Sequence, residues 1–352
     1  MPKVVIIGSH LQDKGGIVSV LKNLFTSSLV EKHDLKMIPS YINESKAVRV
    51  KMFLRAFALL IKEVKQDRPD IVHLHASVAG SFYRKALFIF YLKSKGIPTV
   101  LHIHGSRFES FYNTMHPVQK KFVRYVLGLN ERVIVLSDYW RNFFQAIMPA
   151  EKIAVVENGI SLKGYQYDKR GPEVNILFMG RLGDRKGVYD LLEASGRLAE
   201  THCRFQVYLA GDGEVEKVAA LVKQKDLEEY IHVLGWVGEE ERAMYLKNAD
   251  LMVLPSYNEG FPMAILEAMN YGSAVISTRV GGIPEMIDEG VNGFVVEPGD
   301  IDGLASRMQE LIENQALRER MGKSNIKKVH DKFAVDAQAE KIDSIYREIL
   351  KR

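Results

Sequence analysis

One cysteine, Cys203, is all that the 352-residue chain contains. An intrachain disulfide is excluded, and so is a multi-thiolate metal site. Such cysteine usage fits a reducing compartment, and a cytoplasmic location is expected. Long hydrophobic runs are missing as well. The longest, Met52 to Ile61, is interrupted by Arg55, and it falls far below the roughly 18 residues that a membrane span needs. The apolar run near Met1 is too short for a signal peptide and reads as a first strand. A His-Glu-x-x-His helix is absent, and so is the G-x-G-x-x-G dinucleotide fingerprint. The partial match Gly211-Asp212-Gly213 has Glu216 where the third glycine would stand.

What is present suits globular domains with full cores: 47% of residues are hydrophobic and 26% charged. A chain of this length reads as two domains, at roughly 100–200 residues each. Net charge is only +4, but it is unevenly spread. Residues 1–165 hold 24 Lys and Arg against 12 Asp and Glu, while residues 166–352 hold 24 against 32. The first half is therefore expected to meet something anionic: a membrane surface, a phosphorylated acceptor or nucleic acid. A solvated basic surface is the plain alternative.

Short β-branched runs alternate with helical patterns. Six runs begin at Val4, Leu35, Ile71, Thr99, Val133 and Ile153, and six more at Asn175, Gln206, Ile231, Leu251, Ala274 and Phe294. Continuous apolar strands separated by helices predict α/β architecture: two doubly wound parallel sheets in Rossmann-like domains. The boundary is expected within Ser161–Glu173, a polar stretch with Gly164, Gly171 and Pro172. That sets domains at 1–165 and 166–335, with a last helix over 336–352 crossing back to the first. Ligands of such sheets bind beyond the C-terminal strand ends, and a cleft between two of them is the expected site.

The unusual residues lie at those strand ends. After the run Leu251–Leu254 comes a polar loop with Glu259, then a helix opening near Pro262 and carrying Glu267 in its second turn. Proline suits a first helical position, where its missing N–H costs nothing. The amides of Met263, Ala264 and Ile265 then form an anion site. Two carboxylates so placed can grip hydroxyls at two points of one ligand, although acids near helix starts are ordinary. After Asn175–Met179 come Gly180, Arg181 and Lys186, a guanidinium fork and a mobile ammonium suited to a diphosphate. A solvated basic loop is the alternative there. Gly15 and Gly16 follow the first strand, where backbone can approach a phosphate or sugar closely. His73 and His75 share one strand face, as do His102 and His104. They read as hydrogen-bonded strand-end histidines rather than zinc ligands. Asp300 and Asp302 read as a helix N-cap with a first-turn acid, not a metal motif.

Together these segments resemble the family 4 retaining glycosyltransferases (glycosyltransferase group 1) of the glycosyltransferase B fold, across essentially the whole chain. The resemblance rests on Gly15-Gly16, His104-Gly105, Asn158-Gly159-Ile160 and Gly180-Arg181-Leu182 with Lys186-Gly187. It continues through Ala210-Gly211-Asp212-Gly213 and from Glu259-Gly260-Phe261-Pro262 to Glu267-Ala268-Met269. It implies a hexosyltransferase in which Arg181 and Lys186 hold the donor diphosphate and Glu267 binds ribose hydroxyls. Glu259, with amides near Phe261, Pro262, Met263 and Ala264, would position the sugar. Gly211 and Val237 would lie near the base, His104 by the transferred sugar, and Gly15-Gly16 between donor and acceptor. Pro262 stands where the family often has glycine, so donor contacts there must come from its neighbours.

The resemblance also implies a nucleotide-sugar donor, UDP before GDP, no metal and no other cofactor. The acceptor is expected to be a saccharide or lipid-linked, in cell-surface polysaccharide or glycolipid synthesis, with no nucleic-acid partner. A sugar-nucleotide epimerase of the same architecture is the alternative. The segment Lys46 to Lys65 adds an expectation of peripheral attachment to an anionic inner membrane face. Lys51, Arg55 and Lys62 share one helical face and Phe53, Phe57 and Leu60 another, with Phe108, Phe111 and Tyr112 adding apolar contact.

Overall fold

A computed structural model describes residues 1–162, 173–201 and 203–351. Most of the polar stretch expected to hold the boundary, residues 163–172, lies outside the described residues. The chain forms two compact units, one of residues 1–161 with 333–352, the other of residues 162–332.

All twelve apolar runs are strands. The first unit contains β1 (Lys3–Ser9), β2 (Asp34–Tyr41), β3 (Ile71–Ala76), β4 (Thr99–Ile103), β5 (Arg132–Val135) and β6 (Ile153–Val155). Its sheet is parallel, in the order β2-β1-β3-β4-β5-β6. The chain steps one way from β1 to β2 and the other way thereafter. Right-handed crossovers therefore place helices on both faces. Helices Gly16–Phe25 and Leu29–Lys32 cover one face, joined by the C-terminal helix Val335–Leu350. Helices Lys46–Gln66, Gly80–Ser94 and Pro117–Gly128 fall on the other. Coverage on both sides explains why β1 reads as an unbroken apolar run and why β3 is buried even at its histidines: Val4 to Ile7 and Ile71 to Leu74 are buried. Each such side chain contributes about 1.5–3 kcal/mol by leaving water.

The second unit contains β7 (Val174–Met179), β8 (Phe205–Ala210), β9 (Ile231–Gly235), β10 (Leu251–Leu254), β11 (Ala274–Thr278) and β12 (Gly293–Val296). These are parallel too, in the order β12-β11-β10-β7-β8-β9. The order reverses direction between β7 and β10, which opens a crevice at their C-terminal ends. Asp300 caps helix Ile301–Glu313 by accepting from the Gly303 amide at 2.9 Å, as the sequence suggested.

Candidate active site

The reversal point of the second sheet is where the motif residues gather. The loop leaving β7 runs through Gly180 and Arg181 into a short turn, Asp184–Lys186. The loop leaving β10 carries Pro255 to Pro262 into helix Met263–Asn270. Gly187 lets the two loops touch. Its φ is 70°, and a Cβ there would stand 1.9 Å from the Pro255 carbonyl oxygen. Only glycine fits both demands. The Tyr257 amide donates to the Arg185 carbonyl at 2.9 Å, and the Arg185 guanidinium donates to the Asn258 carbonyl at 3.2 Å.

This seam places the Lys186 ammonium directly on the Glu259 carboxylate, with both side chains largely buried. The Ser256 hydroxyl donates to the same carboxylate oxygen at 2.8 Å. Truncating one partner of a buried pair leaves an uncompensated charge, at about 3–5 kcal/mol. The Lys186 stem passes over Gly180, where a Cβ would meet its Cε at 3.5 Å. Arg181 extends into solvent and reaches Asp212 at 3.8 Å. Asp212 is brought near because Gly211 has no side chain: a Cβ there would lie 1.8 Å from the Gly180 carbonyl oxygen.

Helix Met263–Asn270 begins one residue later than the sequence suggested. Pro262 has ψ 121° and is the flanking residue rather than the first helical one. No side chain caps the helix, so its first amides are not taken up in that way. Glu267 is buried in its second turn. Burial pushes the Glu267 carboxyl up to about 7, against the pull of the adjacent Arg242 guanidinium. Arg242 was not foreseen. It lies on helix Glu239–Asn248, and a lone arginine on an acidic helix carries no sequence signal of its partner. Val237 follows β9, half-buried. A cavity of about 220 Å³ beside the Asp184–Lys186 turn is lined by Asp184, Asp190 and Tyr257 among others. Its carboxylates make it unfit for a diphosphate.

The first unit holds Gly15, Gly16 and His104. Gly15, at φ 116°, precedes helix Gly16–Phe25, and a Cβ built on it meets nothing within 4 Å. That open backbone lies beyond the end of β1. His104 follows β4, and its amide donates to the Ala76 carbonyl at 2.8 Å. Its Nε2 shares a proton with His75 Nδ1 at 2.9 Å. Burial holds His104 and His73 near 3, so both rings are neutral at physiological pH. His73 Nδ1 pairs with the Tyr346 hydroxyl at 2.6 Å. His102 departs from expectation: it is fully buried and neither ring nitrogen has a partner. His73, His75 and His102 bring nitrogens within 4.8 Å of one another. However, His73 is stacked on both other rings' cluster, 4.4 Å from His75 and 5.4 Å from His102 between centroids. Phe108 and Tyr112, expected as exposed apolar contacts beyond His104, are buried in the unit's own aromatic core. The Asn158-Gly159 motif packs against distant parts of its own unit, its Gly159 carbonyl accepting from Asn23 Nδ2 at 2.9 Å and its Cα close against Val335.

The family described as Glycosyltransferase Family 4 matches residues 6–163, and that described as Glycosyl transferases group 1 matches residues 165–328. The chain belongs to the group 1, family 4 glycosyltransferases. Among curated relatives of this glycosyltransferase is alpha-D-kanosaminyltransferase of Streptomyces kanamyceticus, 27% identical over 82% of this chain and 80% of that one. Another is the amylovoran biosynthesis glycosyltransferase AmsK of Erwinia amylovora, 29% identical over 74% of this chain and 65% of that one. The solved structure of Anabaena HepE in complex with UDP and glucose superposes with a TM-score of 0.79. It shares 18% identity and covers 99% of this chain and 100% of that one, which establishes the fold. Among the described residues, no helix of the glycosyltransferase is long and apolar enough to cross a membrane.

Proposed function

We propose that the glycosyltransferase moves a hexose-type sugar from a UDP-sugar, with GDP-sugar the second choice, to a saccharide or lipid-linked acceptor. Anomeric configuration is retained, and the product enters cell-surface polysaccharide or glycolipid. The observation that carries this reading is the meeting of Lys186 and Glu259 beside Arg181 at the reversal point of the second sheet. Support for the donor comes from HepE, whose structure holds UDP and glucose. Support for the pathway class comes from AmsK.

In this reading Arg181 and Lys186 hold the donor diphosphate. An ammonium has three donors, and Glu259 takes one, so two remain for phosphate oxygens. The departing nucleoside diphosphate gains charge as it leaves. Fixed cations and the first amides of helix Met263–Asn270 stabilise that charge best when it is fully developed. Positive charge on the protein thus does what a divalent ion would do, and the reaction proceeds without metal. Glu259, held by Ser256 and Lys186, positions the sugar together with backbone near Phe261 to Ala264. Glu267 accepts from ribose hydroxyls, Gly211 and Val237 flank the base, and neutral His104 hydrogen-bonds the transferred sugar. Gly15-Gly16 lie between donor and acceptor. The sugar passes through an oxocarbenium-like state, and attack on the face the leaving group vacates retains configuration.

A thermal-shift panel of nucleotides and nucleotide sugars tests the donor, since a ligand of the folded state raises its stability. NMR of the product with the stabilising donor then reads the anomeric configuration, with and without EDTA. Retention and undiminished turnover in EDTA are expected. An inverted product, loss of turnover restored by a divalent cation, or conversion of donor without acceptor, as an epimerase would give, overturns the corresponding part.

A further inference from the structure

The sequence pointed to helix Lys46–Gln66 alone as a basic, amphipathic element. In the first unit this helix is one of three on a common face. Phe53 and Phe57 pack against Phe88 of helix Gly80–Ser94, with ring centroids 5.3 Å apart in each case. Phe90 of that helix packs against Phe122 and Tyr125 of helix Pro117–Gly128, at 6.1 and 6.2 Å. The seam of Phe53 and Phe57 on Phe88 is therefore satisfied within the fold, whereas Phe122 and Tyr125 touch Phe90 and still stand exposed, so the outward surface needs explaining.

That outward surface is apolar. Of the eighteen large apolar side chains exposed among the described residues, nine lie on these three helices. Val50, Leu54, Leu87, Val118 and Tyr125 are each about half exposed or more. On the first helix, Ala47, Val50, Leu54 and Ala58 recur at helical spacing along a shallow groove of about 870 Å³. Lys46, Lys51 and Arg55 flank it. A second apolar seam facing water is not what a helix packed on one side requires.

The surface is also of one sign. The three helices carry twelve Lys and Arg and a single acid, Glu63. Glu63 is buried and paired to Lys3 and Lys36, so none of the acids on these helices faces outward. Among the described residues, Lys51, Arg55, Lys62 and Lys121 have no ion-pair partner. Apolar side chains interleaved with unpaired cations match the acyl boundary and the anionic headgroups of a bilayer surface. A second copy of the chain would set like charge against like charge, and an acidic protein would leave the apolar seam unfilled.

We infer that this three-helix face docks on an anionic membrane, with its apolar side chains in the interface and its Lys and Arg on headgroup phosphates. Docking stands on the surface itself. It rests on the transfer reading only for its purpose, presenting a lipid-linked acceptor to the site.

Vesicle co-sedimentation of the full chain is the test, with phosphatidylglycerol-containing vesicles against pure phosphatidylcholine. Binding should occur on the anionic vesicles only. It should weaken strongly from about 0.1 M to about 1 M salt, where the screening length falls from ~10 to ~3 Å. Leu54→Ser with Val118→Ser, and separately Lys51→Glu with Lys121→Glu, should each weaken binding by about ten-fold or more. All four positions are exposed, so the fold should persist. The UDP-induced thermal shift in the second unit should stay unchanged, which separates failure of docking from failure of the transfer reading. No binding to anionic vesicles at low salt, equal binding to neutral ones, or wild-type binding by both variant pairs overturns the inference. So does a change of oligomeric state in place of a change in vesicle binding.

Discussion

The two units share a plan and differ in what they expose. Both are six-stranded parallel sheets wrapped by helices, but the strand order reverses between β1 and β3 in one and between β7 and β10 in the other. At the second reversal the strand ends carry paired charges, Lys186 with Glu259, and Glu267 with Arg242. At the first they carry neutral histidines and open glycine backbone. The outer helices differ as well. Those of the first unit are basic with bare apolar side chains, whereas helices such as Val188–Ala199 and Glu239–Asn248 mix both signs. The layered core is therefore generic. Strand ends and outer helix faces, which the core leaves free to vary, are where the units diverge.

The sharpest way to break that contrast is at Glu259. Glu259→Ala should abolish transfer while the protein still binds UDP, because the diphosphate contacts belong to Arg181 and Lys186. Lys186→Ala should cost roughly 10- to 150-fold in donor handling, from one lost charge-assisted contact of ~1.5–3 kcal/mol. Turnover assays with calorimetric UDP binding check both. Unchanged turnover in Lys186→Ala would remove the second unit's claim to the donor diphosphate.

Acid should separate the units next. Burial depresses His73 and His104 to about 3, and lowers His75 and His102 well below 6.5. The unfolded chain then binds more protons, so this stability is complete above about 6.5 and is lost as pH falls toward 3. Lowering pH from 7.5 to 5 should cost the first unit roughly 2 kcal/mol at each of His73 and His104, with His75 and His102 acting in the same direction. Glu267 works in the opposite sense. Its raised value gives stability present below 4.5 and lost as pH rises through about 7. Trp140 is buried in the first unit and Trp236 belongs to the second. Denaturant unfolding of Trp236→Phe followed by Trp140 fluorescence, beside the reciprocal variant, reads each unit. Equal acid sensitivity in both would erase the contrast.

The smallest effect concerns the ribose. As pH rises through 7, Glu267 becomes an acceptor-only carboxylate, and UDP affinity should improve several-fold. Glu267→Gln should bind UDP more weakly and lose that part of the pH dependence. A parallel pH profile in the variant would assign the trend to the phosphates of UDP itself.

The sequence by itself determined the twelve strands and their parallel arrangement, because a strand covered on both faces must be apolar throughout and the helices between must cross over. It also placed Arg181, Lys186 and Glu259 in the loops that leave two strands and Glu267 in the helix after one of them, since each lies between an apolar run and the end of the helix that follows it. Only the tertiary structure decided what those residues meet. Lys186 reaches Glu259 across 73 positions, through a seam that closes because Gly187 admits the Pro255 carbonyl where a Cβ would clash, and Arg242 reaches Glu267 across 25, from one helix to another. Periodicity put Phe53, Phe57 and Leu60 on one face of helix Lys46–Gln66 but gave no sign that a second apolar seam would stay in water. Phe53 and Phe57 turned inward onto Phe88, leaving Val50 and Leu54 in water. Phe108 and Tyr112 went into the core for the same reason. Local pattern fixes which side chains are apolar, and only the non-local packing of neighbours determines which of them are covered.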